Sequence, residues 1–360
     1  MSQSTRTGVL RGESGVGLIE VMISIVISML LVLVIYQIYE ISEGQKRTIT
    51  AGSDAQQNAS YGLYVLGRDV AIAGNGIASL TSSLDLCANT KLRPIPVVIT
   101  AGAAASDPDT ITVLYGGSSS LSTPVPLQGS HAAGGANYVV RAPVGFSEKD
   151  VIAAVQGNNC TLSTVDNGGV AVDANGMATI TRTLVAGEVD QNYAAVNASL
   201  VNLGKKESMG RIAYTVDPST HALRTQRELP AVEPVTPLVS DVVNLKAQYG
   251  LDTNKDGVID TWQDPTGAVW AAANLPNQTP DTWKQIRAVR MAIVTRSGQY
   301  EKDPITAGSP PGMPAGKLGI FCDPAPTCAY SVTLSADEQH YRYKILETIV
   351  PLRNALWNPT

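Results

Sequence analysis

The chain has 360 residues, of which 16% are charged, and its formal net charge is −5. Its basic residues are scattered, and the densest basic groups are pairs such as Lys46–Arg47 and Lys205–Lys206. Tight binding of duplex nucleic acid requires a basic surface, so direct nucleic-acid binding is not expected. The low share of charge and the abundance of glycine are typical of an extracytoplasmic β protein rather than a cytosolic enzyme.

An apolar run of 24 residues, Val16 to Tyr39, lies near the N-terminus. As a helix it extends roughly 36 Å, enough to cross a hydrocarbon core of about 30 Å. It is too long for a secretory signal, whose apolar core has about 7 to 15 residues. Arg6 and Arg11 precede the run and favour a cytoplasmic N-terminus, with the rest of the chain translocated. A plain membrane anchor leaves Glu20 unexplained, because a charge at the bilayer centre costs on the order of 2.5 kcal/mol.

The stretch SGVGLIEVMISIV resembles the type IV prepilin signature. The resemblance implies that residues 1–15 are a leader, that prepilin peptidase cleaves after Gly15, and that Val16 becomes an N-methylated N-terminus. Glu20 then occupies the fifth mature position, where the family's glutamate is thought to meet the α-amine of a neighbouring subunit. Val16 and Gly17 replace the usual Phe and Thr or Ser, a difference that bears on processing efficiency. The alternative is that Glu20 merely lies at the headgroup boundary, at small cost.

A helical pattern continues beyond the apolar run. Apolar residues recur at helical spacing, namely Leu63, Leu66, Val70 and Ala73. Residues 16–75 are therefore predicted to form one long helix, with the membrane span at 16–39. Gly44 and Gly52 are candidate breaks, and the glycines at 74 and 76 are predicted to end the helix. The alternative is a separate amphipathic helix within a soluble domain.

Beyond residue 75 the pattern changes to short alternating or β-branched runs between turn residues. Seven runs are predicted as strands: DTITVLY from Asp109, NYVVRA from Asn137, MATITRTL from Met177, RIAYTV from Arg211, VVNLKAQY from Val242, IRAVRMAIVTRS from Ile286 and YRYKILETIV from Tyr341. The predicted fold class is α+β. Residues 76–360 are expected to form a large, mostly antiparallel β-rich domain with a variable insertion at about 80–205.

The order YTVDPSTHALRTQRELP, VVNLKAQYGLDTNKDGVIDTW and IRAVRMAIVTRS looks like the C-terminal half of the PilW-type minor pilin family. The N-terminal stretch YGLYVLGRDVAIAGNGI is also similar to that family. The resemblance implies a type IV pilin-like fold, in which the β-sheet domain packs on the second half of the helix. It also implies a structural subunit without enzymatic activity, which helps to prime or cap a type IV pilus and serves twitching motility, adhesion or DNA uptake.

The implied partners are other minor pilins, the major pilin, prepilin peptidase and a PilY-type tip adhesin. The implied location is the inner membrane, as a single-pass protein with a periplasmic C-terminal domain, and later the extracellular fibre or its tip. Two alternatives stay open at this point. One is a pseudopilin of a type II secretion system, and the other is a membrane-anchored, calcium-dependent enzyme of the periplasm.

The stretch DTNKDGVID has the spacing of a calcium loop. Its candidate ligands are Asp252, Asn254, Asp256, the carbonyl of Val258, and Asp260, with Asp264 as a last ligand just beyond the loop. Oxygen ligands at alternate positions around a glycine suit Ca²⁺, although position twelve is Gln263 rather than glutamate. Calcium is favoured over a metal-free hairpin tip built from the same turn-forming residues.

Four cysteines allow three disulfide connectivities. Cys322 and Cys328 are close in sequence and flank two prolines, which favours their pairing and leaves Cys87 to meet Cys160. A zinc site built from all four thiolates is a weaker alternative, because no C-x2-C pair is present. Disulfides would place the chain in an oxidising compartment.

Catalytic patterns are sparse. The histidines, His131, His221 and His340, lie in polar contexts and are predicted to be surface residues. Trp262, Trp270 and Trp283 follow or lie within the aspartate loop, and core burial is expected rather than a binding surface. No nucleophile elbow, zinc-protease motif or phosphate-binding glycine loop is present in the sequence.

Overall fold

The structure is a computed structural model that describes residues 15, 17–77, 84–117, 123–141 and 144–356. Residue contacts divide the chain into two compact units, residues 1–51 and residues 52–360. The predicted leader and the predicted new N-terminus, Val16, lie outside the described residues, with the exception of Gly15.

The long helix α1 spans Leu18–Ile72. It is helical at both Gly44 and Gly52, so the candidate breaks are wrong; a single glycine costs only about 1 kcal/mol in a helix interior. The side chain of Asn354 donates hydrogen bonds from Nδ2 to the carbonyls of Ile72 (3.2 Å) and Ala73 (3.0 Å), at the end of α1. The carbonyl of Ile72 also accepts from the amide of Asn75 (3.0 Å), so Asn354 adds a second donor there and a donor for Ala73 at the helix end.

Seventeen strands follow the helix in the described residues. In chain order they are β1 (Val97–Thr100), β2 (Thr110–Tyr115), β3 (Val125–Pro126), β4 (Asn137–Val140), β5 (Asp150–Gln156), β6 (Asn159–Val172), β7 (Ala178–Leu184), β8 (Ser199–Lys205), β9 (Gly210–Asp217), β10 (Ala222–Leu229), β11 (Thr236–Ser240), β12 (Val242–Leu251), β13 (Thr261–Gln263), β14 (Ile286–Arg296), β15 (Lys317–Cys322), β16 (Cys328–Thr333) and β17 (Tyr343–Pro351). All seven predicted strands are present, and the α+β fold class is confirmed.

The strands form four sheets, and neighbouring strands pair antiparallel throughout. Their orders are β1-β2-β9-β10-β11, β13-β12-β14-β17, β15-β16 and β3-β8-β5-β6-β7-β4. The six-stranded sheet is built from residues 125–205, within the stretch expected to be a variable insertion. The remaining helical segments are short: Thr90–Leu92, Gly267–Trp270, Leu275–Asn277, Pro280–Trp283, Glu338–His340 and Arg353–Leu356.

The main core joins the second part of α1 to the first two sheets. Leu66 and Val70 of α1 are fully buried there with Leu223 of β10 and Ile293 of β14. Gly62 permits this close packing, because a Cβ at that position would lie 3.1 Å from Cδ1 of Ile293.

A buried polar contact also fixes α1 in this core. Asp69 is 4% exposed, and it accepts a 2.5 Å hydrogen bond from the hydroxyl of Tyr214 on β9. Burial and the contact with Asp69 both raise the pKa of Tyr214, so its hydroxyl stays protonated and remains a donor.

Candidate functional site

The N-terminal end of α1 carries the predicted assembly residue. Gly15 and Gly17 are not helical, and α1 begins at Leu18, so Glu20 lies in its first turn. The amide of Glu20 donates to the carbonyl of Gly17 (2.9 Å). Its side chain is exposed, and no hydrogen bond or ion pair within the described residues reaches its carboxylate.

The apolar segment that follows is exposed on all sides. Every residue from Leu18 to Ile41 is exposed, and α1 is the one helix in the described residues long and apolar enough to cross a membrane. Length and composition alone support this reading. A helix that is apolar all round is normally covered by lipid or by other protein.

The aspartate loop connects β12 to β13 at the tip of a hairpin. Asp252 is 1% exposed; its Oδ1 accepts from the amide of Asp256 (3.1 Å), and its Oδ2 accepts from the amide of Gly257 (3.0 Å). Arg287 of β14 donates from Nε to the same Oδ2 at 3.2 Å. Backbone groups and a cation therefore already neutralise the buried carboxylate of Asp252.

The other loop carboxylates also make hydrogen bonds within the hairpin tip. Oδ2 of Asp260 accepts from the amide (2.7 Å) and hydroxyl (2.6 Å) of Thr253. Nδ2 of Asn254 lies 3.1 Å from Oδ2 of Asp256 and 3.3 Å from Oδ1 of Asp260. The bonds from Thr253 lower the pKa of Asp260, so this carboxylate is ionised at neutral pH.

Asp264 is held away from the rest of the predicted calcium set. Its Oδ1 accepts from the hydroxyl of Tyr330 (2.5 Å) and from Nε2 of Gln248. Within the described ranges, no three His, Cys, Asp or Glu side chains are grouped so that they could hold a metal ion. The donor types suit calcium, but the geometry present is that of a hydrogen-bonded hairpin tip, and calcium binding stays a prediction.

A buried polar layer lies between β12, β14 and the hairpin β15-β16, and the sequence reasoning missed it. Lys246 and Asp109 are 2% and 1% exposed and form an ion pair of 2.8 Å. Nζ of Lys246 also lies 5.0 Å from the ring centroid of Tyr330, whose hydroxyl binds Asp264. Lys246 and Gln248 alternate with apolar residues along β12. That pattern predicts a solvent-exposed polar face, so no local signal in the sequence marks their burial.

Arg290 ends this layer beside a cavity of about 370 Å³. Its guanidinium lies between the rings of Trp262 (4.9 Å) and Phe321 (4.5 Å), and its Nε donates to Gln248. Burial lowers the pKa of Arg290, against the opposing effect of Glu347. The amide of Phe321 donates to Oε1 of Glu347 at 2.7 Å. The cavity is thus lined by a cation in contact with two aromatic rings and by the carboxylates of Asp323 and Glu347.

Two disulfides are present, Cys87–Cys160 and Cys322–Cys328. The first joins the segment before β1 to β6, and the second joins the ends of β15 and β16. All four cysteines are described and none is free, so none of these thiols remains for a zinc site.

The prediction that all three histidines lie at the surface is wrong for His131, which is 6% exposed. Its Nε2 lies 2.8 Å from a terminal nitrogen of Arg182 and 3.3 Å from Oδ2 of Asp190, and Arg182 and Asp190 form a 2.6 Å ion pair. Burial acts to raise the pKa of Asp190, but hydrogen bonds from Arg182, from the amide of Gly134 and from His131 lower it overall. Hydrogen bonds with Arg182 and Asp190 offset the cost of burying the His131 ring. Both partners are distant in sequence, so no local pattern predicts this burial.

The three tryptophans differ in burial. Trp283 is 3% exposed and donates from Nε1 to the carbonyl of Leu275 (2.8 Å). Trp262 and Trp270 are half-buried. Core burial is therefore confirmed fully for Trp283 only.

Comparison with known proteins identifies the C-terminal part of the chain. Residues 213–354 match the family model of the type IV pilus-assembly protein W. Over these residues the chain is similar to PilW-type proteins. The match spans under half of the chain and runs from within β9 to the segment after β17. It includes the aspartate loop, the second disulfide and the polar layer apart from Asp109. Neither curated proteins nor solved structures gave a significant match.

The PilW match places the chain among proteins associated with type IV pili. It confirms the family resemblance seen in the C-terminal sequence, and it does not extend to the prepilin signature. The family is one of assembly proteins rather than enzymes, and the absence of enzymatic activity in this chain stays a prediction.

Proposed function

We propose that this protein is a minor pilin, anchored in the inner membrane by α1, that helps to prime or cap a type IV pilus. The observation that carries the proposal is the exposed apolar helix from Leu18 to Ile41, in the same chain as a pilus-assembly domain. Such a helix is stable in a membrane before assembly and against other apolar helices afterwards. The C-terminal domain lies in the periplasm before it joins the fibre or its tip.

Glu20 supplies the contact that selects neighbouring helices. Cleavage after Gly15 creates an α-amine at Val16, and a terminal amine with a reference pKa of about 7.7 to 8.0 is largely cationic at neutral pH. In a low-dielectric bundle of helices the attraction between opposite charges is far stronger than in water. The carboxylate of Glu20 lacks a partner among the described residues, so it is free to accept the amine of another subunit.

The partners that follow from this role are prepilin peptidase, other minor pilins and the major pilin. A PilY-type tip adhesin is a further partner if the subunit caps the fibre. Mass spectrometry of the protein from cell envelopes tests the first step, since the mature chain should begin at N-methylated Val16. Loss of Arg6, Arg11 and Glu13 with the leader changes the formal charge from −5 to −6. An intact Met1 terminus would contradict the proposal.

The contact between Glu20 and the α-amine of a neighbouring subunit is tested by Glu20→Ala and Glu20→Gln. Both variants should insert and be cleaved normally, because removal of a carboxylate makes the apolar run easier to insert. Both should be depleted from sheared fibres and from complexes with other minor pilins. Glu40→Gln is the matched control, because Glu40 lies on the same helix just beyond the apolar run. Normal incorporation of both Glu20 variants would mean that Glu20 is only a tolerated boundary residue.

A pseudopilin role in type II secretion is the main alternative, since it would use the same anchor and the same glutamate. Deletion of the gene separates the two roles, because a minor pilin is needed for surface fibres whereas a pseudopilin is needed for secretion of exoproteins. Enzymatic activity is not proposed. Calcium binding by the aspartate loop is an additional proposal, supported by its oxygen donors at alternate positions.

A further inference from the structure

Strand β17 is the longest sheet edge in the described part of the chain. It ends the sheet β13-β12-β14-β17, and its outer side is unpaired over nine residues. The other terminal strands are shorter: β1 and β4 have four residues, β3 two, β13 three, β11 five, and β15 and β16 six. Strand β11 also has an irregular register with β10 and contains Pro237, both of which hinder further pairing.

The register of β17 shows which backbone groups are open. The amide of Leu352 donates to the carbonyl of Arg287, and the amide of Ser297 donates to the carbonyl of Arg342, at the two ends of the β14-β17 ladder. Nine residue pairs between these ends follow one another without a shift. In an antiparallel strand the backbone amide and carbonyl of each residue point to the same side, and successive residues point to opposite sides. The backbone groups of the even-numbered residues of β17 therefore bond to β14, and those of the odd-numbered residues point away from the sheet.

Four residues therefore present both backbone groups at the open edge: Tyr343, Ile345, Glu347 and Ile349. No hydrogen bond from the described residues reaches these groups. Pro351 comes next at the outward-facing positions and has no amide to offer, which is the arrangement expected of proline in an edge strand. The edge thus has a regular register and offers four backbone amides, each with its carbonyl, to an additional strand.

The side chains along β17 define the chemistry of a strand that would pair with it. Leu346 and Val350 are partly buried against the main core, on the side of α1. On the opposite side, Ile349 is 57% exposed and Glu347 is exposed. A matching strand would place apolar side chains beside Leu346 and Val350, and a basic side chain opposite Glu347.

We propose that β17 receives an extended segment of a different pilus subunit as an additional strand of the sheet. This inference rests on the proposed function, because only assembly brings such a segment to the edge. A long edge strand in regular register is a template for pairing with another chain, and the charged side chains of Lys344 and Glu347 restrict which chain can pair with β17. The partner segment alternates apolar residues with polar ones and carries a lysine or arginine opposite Glu347.

A second copy of this chain fits the edge less well. When two β17 strands pair antiparallel, outward-facing residues stand opposite one another, so Glu347 would face only tyrosine, isoleucine, glutamate or proline. None of these residues is basic. The observed sequence of the edge thus favours a heterologous partner over self-pairing.

The test uses the full chain in cells that assemble the fibre, with a photoreactive benzoylphenylalanine at Ile349. Val235, which is 47% exposed just before the irregular edge strand β11, is the matched control position. Irradiation should give an adduct from position 349 with another pilus subunit, joined at an extended segment identified by mass spectrometry. Position 235 should give none.

Charge variants sharpen the test. Glu347→Lys should reduce the adduct from position 349 about fivefold, because an attractive cross-strand pair becomes a repulsive one. Lys344→Glu should have little effect on it, because residue 344 points to the other side of the sheet. Glu347→Gln keeps an oxygen that can accept from the amide of Phe321, so it leaves the contact with the hairpin β15-β16 in place. A decrease of about twofold in the adduct from position 349 in this variant therefore shows that the charge of Glu347 contributes to pairing.

Three results would overturn the inference: no adduct from position 349, an adduct only with a second copy, or equal labelling from positions 349 and 235. If the chain is found with other pilus subunits and still gives no adduct, the inference alone is wrong. If the chain never accompanies pilus subunits, the proposed function is wrong and the inference is wrong with it.

Discussion

The ion pair of Lys246 and Asp109 should be one of the most sensitive points of the fold. Both side chains are almost fully buried, with Nζ and Oδ1 2.8 Å apart. Asp109 also accepts from the amides of Gly102 (3.0 Å) and Ala247 (3.1 Å). Lys246→Met preserves the volume of the aliphatic chain and removes the charge. The buried carboxylate of Asp109 then loses its cation and keeps only the two backbone amides as donors.

The expected loss in the free energy of unfolding is about 3–5 kcal/mol, the usual cost of removing one partner from a buried pair. Asp109→Asn should cost a similar amount, because it keeps one oxygen for the backbone amides but leaves Lys246 charged and unpaired. The double variant should lose clearly less than the sum of the two single variants, because neither charge is then left alone. Chemical unfolding of the full chain in detergent, followed by tryptophan fluorescence, measures all three values.

The control is the ion pair of Arg211 and Glu228, which has a similar length of 2.7 Å but is partly exposed. Glu228→Gln should cost only about 0.2–1 kcal/mol, because water and salt screen surface pairs. If Lys246→Met is no more harmful than Glu228→Gln, then the burial argument is wrong. Strictly additive losses in the double variant would show that the two side chains do not interact.

Three further predictions concern stability. A fragment that begins at Gly52 should fold, whereas one that begins at residue 76 should aggregate or melt far lower, because each buried Leu or Val of α1 stabilises the core by about 1.5–3 kcal/mol. Burial raises the pKa of Asp85 to about 6, so the folded chain should lose stability as the pH rises from about 4 to 6, and Asp85→Asn should remove that loss in thermal melts. Millimolar calcium should raise the melting temperature of the full chain, and Asp256→Ala combined with Asp260→Ala should abolish the increase.

Each of these predictions has a result that contradicts it. Equal melting temperatures for the two fragments would show that the second part of α1 is dispensable. An Asp85→Asn chain that loses as much stability between pH 4 and 6 as the unchanged chain would assign the effect to another group. The control for the calcium prediction is Asp173→Asn. Asp173 lies in another turn, where its carboxylate also accepts hydrogen bonds from backbone amides. This variant should keep the full response, and identical melts with calcium and with chelator would leave the aspartate loop a metal-free turn.

Local patterns were sufficient for the elements whose side chains alternate or repeat regularly. The helix was predicted to within a few residues of its end at Ile72, because apolar spacing and terminal glycines are local signals. The strand at Val242 was found in the same way, although its burial on both sides was not. Ten of the seventeen described strands were not predicted, among them β5 and β8 of the insertion, although β4 and β7 of the same sheet were.

Features that depend on distant partners were beyond the sequence. Lys246 is buried because Asp109, in the loop just before β2, supplies the opposite charge. The same is true of His131, whose ring nitrogens lie beside Asp190 and the carbonyl of Asn137. The spacing of the aspartate loop favoured calcium over a metal-free hairpin tip, which stays a prediction, and it gave no indication that Asp264 binds Tyr330 instead of the loop. Composition identifies polar residues, whereas only the fold decides which of them are buried together.

The hydrogen bonds from Asn354 to the end of α1 imply an order of folding. Synthesis proceeds from the N-terminus, so the helix exists long before residue 354 and strand β17 are made. Until then the inner face of the helix lacks part of its cover, and contacts of such large sequence separation form slowly. The domain therefore reaches its final state only after Asn354 has emerged. A frameshift that removes β17 and Asn354 should consequently be as damaging as a lesion in the middle of the core.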